Sequence, residues 1–129
     1  MISRENAYKL LNQHIQNVNM IKHSVASEAV LHAIAVKMDQ NPDEWGLAGL
    51  LHDIDVEITN ADPYKHGPYA AGMLEGLLSP EAIDAIVMHN EMATGKERTT
   101  VFQHALAAGE TITGLIMATA MVYPDNKLA

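Results

Sequence analysis

Apolar residues recur every three or four positions along most of the chain, and no segment alternates apolar and polar residues with a period of two. This spacing is typical of amphipathic helices and predicts an all-α fold. Polar stretches at 59–68 and 93–99 interrupt the pattern and predict loops. The expected architecture is a single-domain bundle of about six helices, placed at Ser3 to about Asn17, 18–38, Asn41 to about Asp53–Asp55, 68–78, Ser79 to 92, and about Thr100–Tyr123.

Several of these helices have recognisable boundary signals. Ser3 and Ser79 are good N-cap residues, because a serine hydroxyl can accept a hydrogen bond from the first helical turn. Asn41 is followed by Pro42 and two acids, a combination that favours the positive end of a helix. Pro124 predicts the end of the last helix.

The composition limits the possible partners. A chain of 129 residues with 48% hydrophobic and 5% aromatic residues suits one domain, 1–129, with a core of aliphatic side chains and methionine. The formal net charge of −8 disfavours long DNA or RNA as a partner, because both are polyanions. A small phosphorylated substrate stays compatible, since bound cations can reverse the local field.

The sequence predicts a soluble, cytoplasmic protein with no membrane partner. The N-terminus carries Arg4, Glu5 and Lys9, which does not match a secretory signal. The longest uncharged stretch, 111–124, is shorter than the roughly 20 apolar residues needed to cross a bilayer. The chain has no cysteine, so disulfides and thiolate metal sites are excluded.

Histidines and acids fall on the apolar faces of the predicted helices. Successive residues are about 100° apart around a helix, so spacing assigns each side chain to a face. His23 falls on an apolar face that it shares with Ala26, Val30 and Ala33. His32 lies about 180° from His23, so the two histidines cannot serve one site.

Two further helices direct a polar side chain inward. His89 shares its face with Ala82, Ala85 and Ile86. Glu110 shares its face with Leu106, Ala107, Thr113, Gly114 and Met117. A carboxylate buried on such a face without a partner is costly. His52 and Asp53 end the third helix, and His66 precedes the fourth, so one shared metal would satisfy all of these groups.

Each of these residues also has a simpler interpretation. His23 on an apolar face can be a hydrogen-bonded core histidine, and Glu110 can be half of a buried ion pair. His66 can lie on the loop surface. Asp55 and Glu57 can support the site or be exposed acids, and exposure is favoured for Glu57. The metal interpretation depends on the convergence of several polar groups, not on any one of them.

In this order, the motifs resemble the HD-domain phosphohydrolase superfamily, named for its His-Asp pair. "KHSVASEAV" is similar to the first motif and "AGLLHDIDVE" to the second. "YKHGPYAAGML" and "IDAIVMHN" resemble the later histidine motifs, and "AAGETITGLIMATAMVYPDNKLA" resembles the last one. The resemblance covers about residues 20–129.

The resemblance implies an all-α fold with a centre of one or two divalent metals that hydrolyses a nucleotide or another small phosphate ester. By position, His23, His52, Asp53 and Glu110 would hold one metal, and Asp53, the expected catalytic residue, would bridge to a second held by His66 and His89. Nitrogen and oxygen ligands suit Fe, Mn, Co, Ni or Zn. Such ions can polarise a phosphoryl group and lower the pKa of water. The candidate phosphate contacts are Lys65, Asn90, Lys96, Arg98 and Lys127, although a place on the solvated surface is the favoured interpretation of each.

Two departures from the family pattern leave other functions open. Glu110 stands where the family normally has Asp, so the last helix must retreat or the ligand must bind differently. Relatives usually continue with further helices, so a truncated form or a covering subunit, such as a homodimer partner, is expected. The alternatives are a mixed-valence di-iron oxygenase, a catalytically degenerate metal-binding module, and a plain helical bundle without a site.

Overall fold

The computed structural model describes residues 1–121, without the side chain of Met121, and every regular element in this range is a helix. The prediction of an all-α fold is therefore confirmed. Residues 1–121 contain one helix more than expected, because a short separate helix spans the end of the predicted 79–92 helix and the start of the predicted 93–99 loop. The helices are α1 Arg4–His14, α2 Val18–Lys37, α3 Pro42–Leu51, α4 Pro68–Leu74, α5 Pro80–Met88, α6 Glu91–Thr94 and α7 Val101–Met121.

The predicted helix starts carry the expected caps. The Asn41 side chain accepts hydrogen bonds from the backbone N–H groups of Asp43 and Glu44, both at 3.1 Å. Ser3 and Ser79 each accept from a backbone N–H three residues later, again at 3.1 Å. These bonds satisfy amide groups that have no partner within the helix, so the starts could be located from local sequence alone.

The first helix ends earlier than expected because a tertiary contact competes with it. α1 stops at His14, and Asn17 caps α2 by accepting from the backbone N–H of Met20 at 3.1 Å. The Glu57 carboxylate accepts from the backbone N–H groups of Gln16 and Asn17 at 2.8 and 3.1 Å. The favoured exposure of Glu57 was therefore wrong, since this half-buried side chain fixes the α1–α2 connection.

Other helix ends differ for local reasons. Residues 52–67 form consecutive turns, and α4 stops at Leu74, two residues before Gly76 adopts a positive φ of 79°. The predicted 79–92 helix divides into α5 and α6, and Gly95 closes α6 in the left-handed conformation. The predicted end of the last helix, at Tyr123 and Pro124, lies outside the described residues.

The core forms where α3 lies between α1, α2, α5 and α7, and α3 packs most extensively against α2. The rings of Trp45 and Phe102 stack with centroids 4.7 Å apart and hold the start of α7 against α3. The largest fully buried apolar side chains are Leu11, Leu31, Leu50, Leu51, Ile54, Leu74, Ile86 and Leu106. This core supports the C-terminal ends of α3 and α5, where His52 and His89 are the C-cap residues.

The buried face of α2 is offset from the predicted one. Ser24, Ser27, Leu31 and Ala35 are its buried residues, whereas Ala33 is exposed and His23 lies beside the buried face. The hydroxyls of Ser24 and Ser27 have no hydrogen-bond partner among the described residues. Their small size explains the offset, because it allows α3 to approach the α2 backbone closely.

The backbones of α2 and α3 come close together at Gly49. A Cβ atom placed on Gly49 would lie 2.7 Å from the backbone oxygen of Ser27 and 2.9 Å from its carbonyl carbon. Real Cβ atoms do not come this close to backbone, so any side chain at Gly49 would force the two helices apart. α7 also packs closely on α2, since a Cβ on Gly109 would lie 2.7 Å from Leu31 Cδ2.

The outer face of α7 is apolar. Ile112, Leu115 and Ile116 are exposed there, and the expected homodimer stays a prediction. Among the described residues, the helices fall short of the length and apolar character required to cross a membrane.

We expect Gly49→Ala to lower the free energy of unfolding by about 1–3 kcal/mol, because overpacking displaces backbone. Gly46→Ala is the matched control, since a Cβ there would meet its nearest neighbour at an ordinary 3.6 Å. Alanine in a helix interior favours folding by about 0.5–1 kcal/mol over glycine, so the control should be neutral or stabilised. Urea unfolding followed by circular dichroism measures both. Equal stability of the two variants would contradict the close approach.

Candidate metal centre

The Asp53 carboxylate lies at the centre of a group of four imidazoles. Its Oδ2 atom is 3.3 Å from His23 Nε2 and 3.1 Å from His52 Nε2. Its Oδ1 atom is 3.1 Å from His66 Nε2 and 3.6 Å from His89 Nε2. Each oxygen of one carboxylate therefore faces its own pair of histidines.

The histidines of each pair also meet one another. His23 Nε2 and His52 Nε2 are 3.3 Å apart, and His66 Nε2 and His89 Nε2 are 3.0 Å apart. Glu110 approaches the first pair, with Oε2 at 3.7 Å from His23 Nε2 and 3.8 Å from His52 Nε2. All six residues expected at the site thus come together in the structure.

Different parts of the fold supply these six side chains. α2 carries His23 and α7 carries Glu110, while His66 lies in the turns before α4. His52 and His89 are the C-cap residues of α3 and α5. His32 is exposed and lines a separate cavity beside Arg4 and Glu28, as expected from its position on the other side of α2.

Hydrogen bonds at Nδ1 fix the orientation of three of the imidazoles. His52 Nδ1 donates to the Gly49 carbonyl at 2.7 Å, and His89 Nδ1 donates to the Ile86 carbonyl. His66 Nδ1 donates to Asp55 Oδ1 at 2.6 Å. Because these acceptors require a proton on Nδ1, each neutral ring directs its Nε2 lone pair toward Asp53.

This donor set fits a divalent metal. Lone pairs that face one another and a carboxylate repel unless a positive charge lies between them. Two groups of possible ligand atoms, each with all members within 4.8 Å of one another, occur in the described part of the chain: His23, His52 and Asp53, and Asp53, His66 and His89. Nitrogen and oxygen donors of this kind suit first-row transition metals.

The electrostatics of the cluster also favour positive charge at its centre. Burial raises the pKa of Asp53, but the neighbouring His52, His23 and His66 lower it more, so this pKa lies well below its usual range. Burial lowers the pKa of His66, but hydrogen bonds to Asp53 and Asp55 raise it to about 10. A metal cation and a proton at Nε2 therefore compete for the same position.

His52 shows the same balance at a fully buried position. Burial lowers its pKa, while the Asp53 and Glu110 carboxylates raise it more, so the net shift is upward. The side chain of His52 is 0% exposed, against 24% for Glu110. The cluster is thus shielded from solvent at His52 and most accessible to solvent at Glu110.

The family comparison agrees with this geometry. A family model for the HD domain matches residues 20–120, which include all six residues. The chain belongs to the HD-domain family. Searches of curated proteins and of solved structures found no match. The HD-domain family lies within a superfamily of metal-dependent hydrolases, so a divalent metal and hydrolysis are the expected general chemistry.

In this HD domain, Asp55 supports the site from a fully buried position. One carboxylate oxygen accepts from His66, and the other accepts from the backbone N–H groups of Gly67 and Ala70 at 2.7 and 2.9 Å. Gly67 has a φ of 102°, a conformation that side chains disfavour, and it turns the chain into α4. Of the two interpretations of Asp55, the structure favours support of the site.

The candidate phosphate contacts fall into two groups. Lys65 and Lys96 are exposed, and Lys127 lies outside the described residues. Asn90 and Arg98 instead donate to backbone carbonyls near His66 and His89, and Arg98 also donates to the Glu91 carboxylate. Most of their donor capacity is therefore already used within the protein.

Sequence reasoning missed the glycines that shape the HD-domain site. Gly49 allows the close approach of α2 and supplies the carbonyl acceptor for His52. Gly67 directly follows His66 and binds Asp55. The "HGP" tripeptide was an available signal for Gly67, because a glycine between a candidate ligand and a proline often marks a special turn.

We expect Asp55→Asn to destabilise the HD domain by about 2–4 kcal/mol. An asparagine has one acceptor oxygen, so it can satisfy either His66 or the two backbone N–H groups, and the others stay buried without a partner. Urea unfolding and the metal content after dialysis measure the effect. Asp62→Asn is the control, because its single bond to the Tyr64 N–H can be kept by an amide oxygen. Equal effects of the two changes would contradict the role of Asp55.

Proposed function

We propose that this HD domain is a metal-dependent phosphohydrolase that acts on a nucleotide or another small phosphate ester. One observation carries the proposal: each Asp53 oxygen faces two imidazole Nε2 atoms, at distances of 3.1–3.6 Å. This arrangement allows one carboxylate to contribute to two metal positions at once. The family match to metal-dependent hydrolases supports the same chemistry.

In this proposal, the six side chains divide between two metals. His23, His52, Asp53 and Glu110 would hold one, and Asp53, His66 and His89 would hold the other. Bound divalent metals would supply Lewis-acid polarisation of a phosphoryl oxygen and a lowered pKa for water. Iron, manganese, cobalt, nickel and zinc all suit these ligands, and availability contributes to the choice.

The protein itself contributes orientation and exclusion of water. The Gly49, Ile86 and Asp55 oxygens hold three imidazoles in one tautomer, so little rearrangement is needed when the substrate binds. The fully buried His52 closes the inner side of the site. Glu110 has the most exposed side chain of the six, and we place substrate entry on its side.

Charge supports a small substrate over a polymer. The formal net charge of −8 repels polyanions, whereas a single phosphate group can be attracted by metal cations and by lysine side chains. Lys65 is exposed and directly precedes His66, and Lys96 is exposed in the segment after α6. We propose these two lysines as phosphate contacts.

We expect Asp53→Asn to reduce phosphate release by more than about 100-fold, because the central carboxylate contributes to both metal positions and metal catalysis supplies several kcal/mol. Purified protein should be assayed against nucleoside monophosphates and p-nitrophenyl phosphate with added Mn²⁺, Co²⁺, Ni²⁺, Fe²⁺ or Zn²⁺. Asp43→Asn is the matched control, since Asp43 is an exposed carboxylate in the first turn of α3. The control should keep wild-type activity.

The possible outcomes separate the alternatives. Metal uptake without phosphate release from any substrate would contradict hydrolysis and favour a degenerate metal-binding module. Oxygen consumption together with an electron paramagnetic resonance signal from a mixed-valence di-iron centre would favour the oxygenase. An absence of bound metal after supplementation would contradict all three and leave a plain helical bundle.

A further inference from the structure

Two distant segments must meet to form the His66–His89 half of the site. His66 lies in the turns that precede α4, and His89 lies at the end of α5. Their Nε2 atoms are nevertheless only 3.0 Å apart. The separation of these ligands therefore depends on whatever holds the two backbone segments together.

Asn90 joins the two segments directly. It follows His89 in the chain, and its side-chain amide donates to the carbonyl oxygens of Pro63 and His66, both at 2.8 Å. The side chain thus fixes the backbone of one histidine from the residue next to the other. Both N–H donors of the amide are used in this way.

Arg98, which lies nine residues after His89, binds the backbone at the end of α5. Its Nε donates to the Met88 carbonyl and its Nη2 to the His89 carbonyl, both at 2.9 Å. Its Nη1 pairs with Glu91 Oε1 at 3.0 Å. Carbonyls at the end of a helix have no partner within it and carry partial negative charge, so a guanidinium is well suited to bind them.

We propose that Asn90 and Arg98 are positioning residues that set the affinity of the Asp53–His66–His89 half of the site for a divalent metal. In the described part of the chain, their side-chain hydrogen bonds all end within residues 63–66 and 88–91. Within residues 1–121, neither side chain bonds to α2, α3 or α7, the helices that position His23, His52 and Glu110 of the other half. The inference rests on the proposed function, because it requires that the cluster binds a divalent metal.

The test is a calorimetric titration of the full chain with Mn²⁺, together with elemental analysis after gel filtration. His89→Ala and His23→Ala first assign the binding events, since each removes a ligand of one half only. We then expect Asn90→Ala and Arg98→Ala to raise the Kd of the event that His89→Ala abolishes by about 10–100-fold, as is typical of groups that orient metal ligands. The other event should change by less than about threefold.

Matched controls separate positioning from general stability. Asn12→Ala removes an amide that also donates to a backbone carbonyl, that of Tyr8 at 2.8 Å. Arg4→Ala removes a guanidinium that pairs with Glu28 at 3.0 Å. Both changes should leave the two Mn²⁺ affinities unchanged. Arg98→Lys should have an intermediate effect, because an ammonium keeps the charge but not the fork that reaches two carbonyls.

Several results would overturn the positioning role. Unchanged affinities in Asn90→Ala and Arg98→Ala would do so, as would equal weakening of both events or a similar loss in Arg4→Ala. If circular dichroism shows that Arg98→Ala does not fold, the Mn²⁺ affinities of Arg98→Lys and Asn90→Ala test the proposal instead. A wild-type chain that binds no Mn²⁺ overturns the proposed function as well, whereas a wild type with two events and unaffected variants overturns the positioning role alone.

Discussion

Close contact between the backbones of α2 and α3 determines the geometry of the site. At Gly49 no side chain separates the two helices, and a Cβ atom would lie 2.7 Å from the Ser27 carbonyl oxygen. His23 lies one turn before Ser27, and His52 lies three residues after Gly49. The same Gly49 provides the carbonyl that orients His52. The 3.3 Å separation of these two histidines is thus a direct consequence of how closely two helices pack.

The positions of His52 and His89 at helix ends give the site a second physical advantage. Each is a C-cap residue, and each donates from Nδ1 to the carbonyl three residues earlier, Gly49 or Ile86. This local bond selects the tautomer with a free Nε2. The C-terminal end of a helix also carries partial negative charge, which favours cations nearby. Two such ends meet at Asp53, so the backbone and the carboxylates together favour a metal cation there.

The sequence predicted the parts of this structure that depend on local signals. The caps at Ser3, Asn41 and Ser79 marked three helix starts. The order of the motifs led to the prediction that the six residues of the cluster form one site. The parts that depend on tertiary contacts could not be predicted. The Glu57 carboxylate, which binds backbone N–H groups at the α1–α2 connection, comes from 40 residues further along the chain. Asn90 and Arg98 were predicted to be phosphate contacts, because the sequence does not show that their side-chain N–H groups already donate to backbone carbonyls.

Glu110 is the residue of the cluster that departs from the family pattern, in which an Asp is normal at this position. The expectation was that α7 must retreat or that the ligand must bind differently. That expectation stays a prediction. Gly109 has no side chain, so α7 lies close against Leu31 of α2. The Glu110 side chain lies at the open edge of the cluster and is 24% exposed. Its Oε2 stays 3.7–3.8 Å from the imidazole nitrogens, farther than the 3.1–3.3 Å of Asp53 Oδ2. Asp53 thus faces four imidazoles inside the cluster, whereas Glu110 is the more distant and more exposed of the two acids.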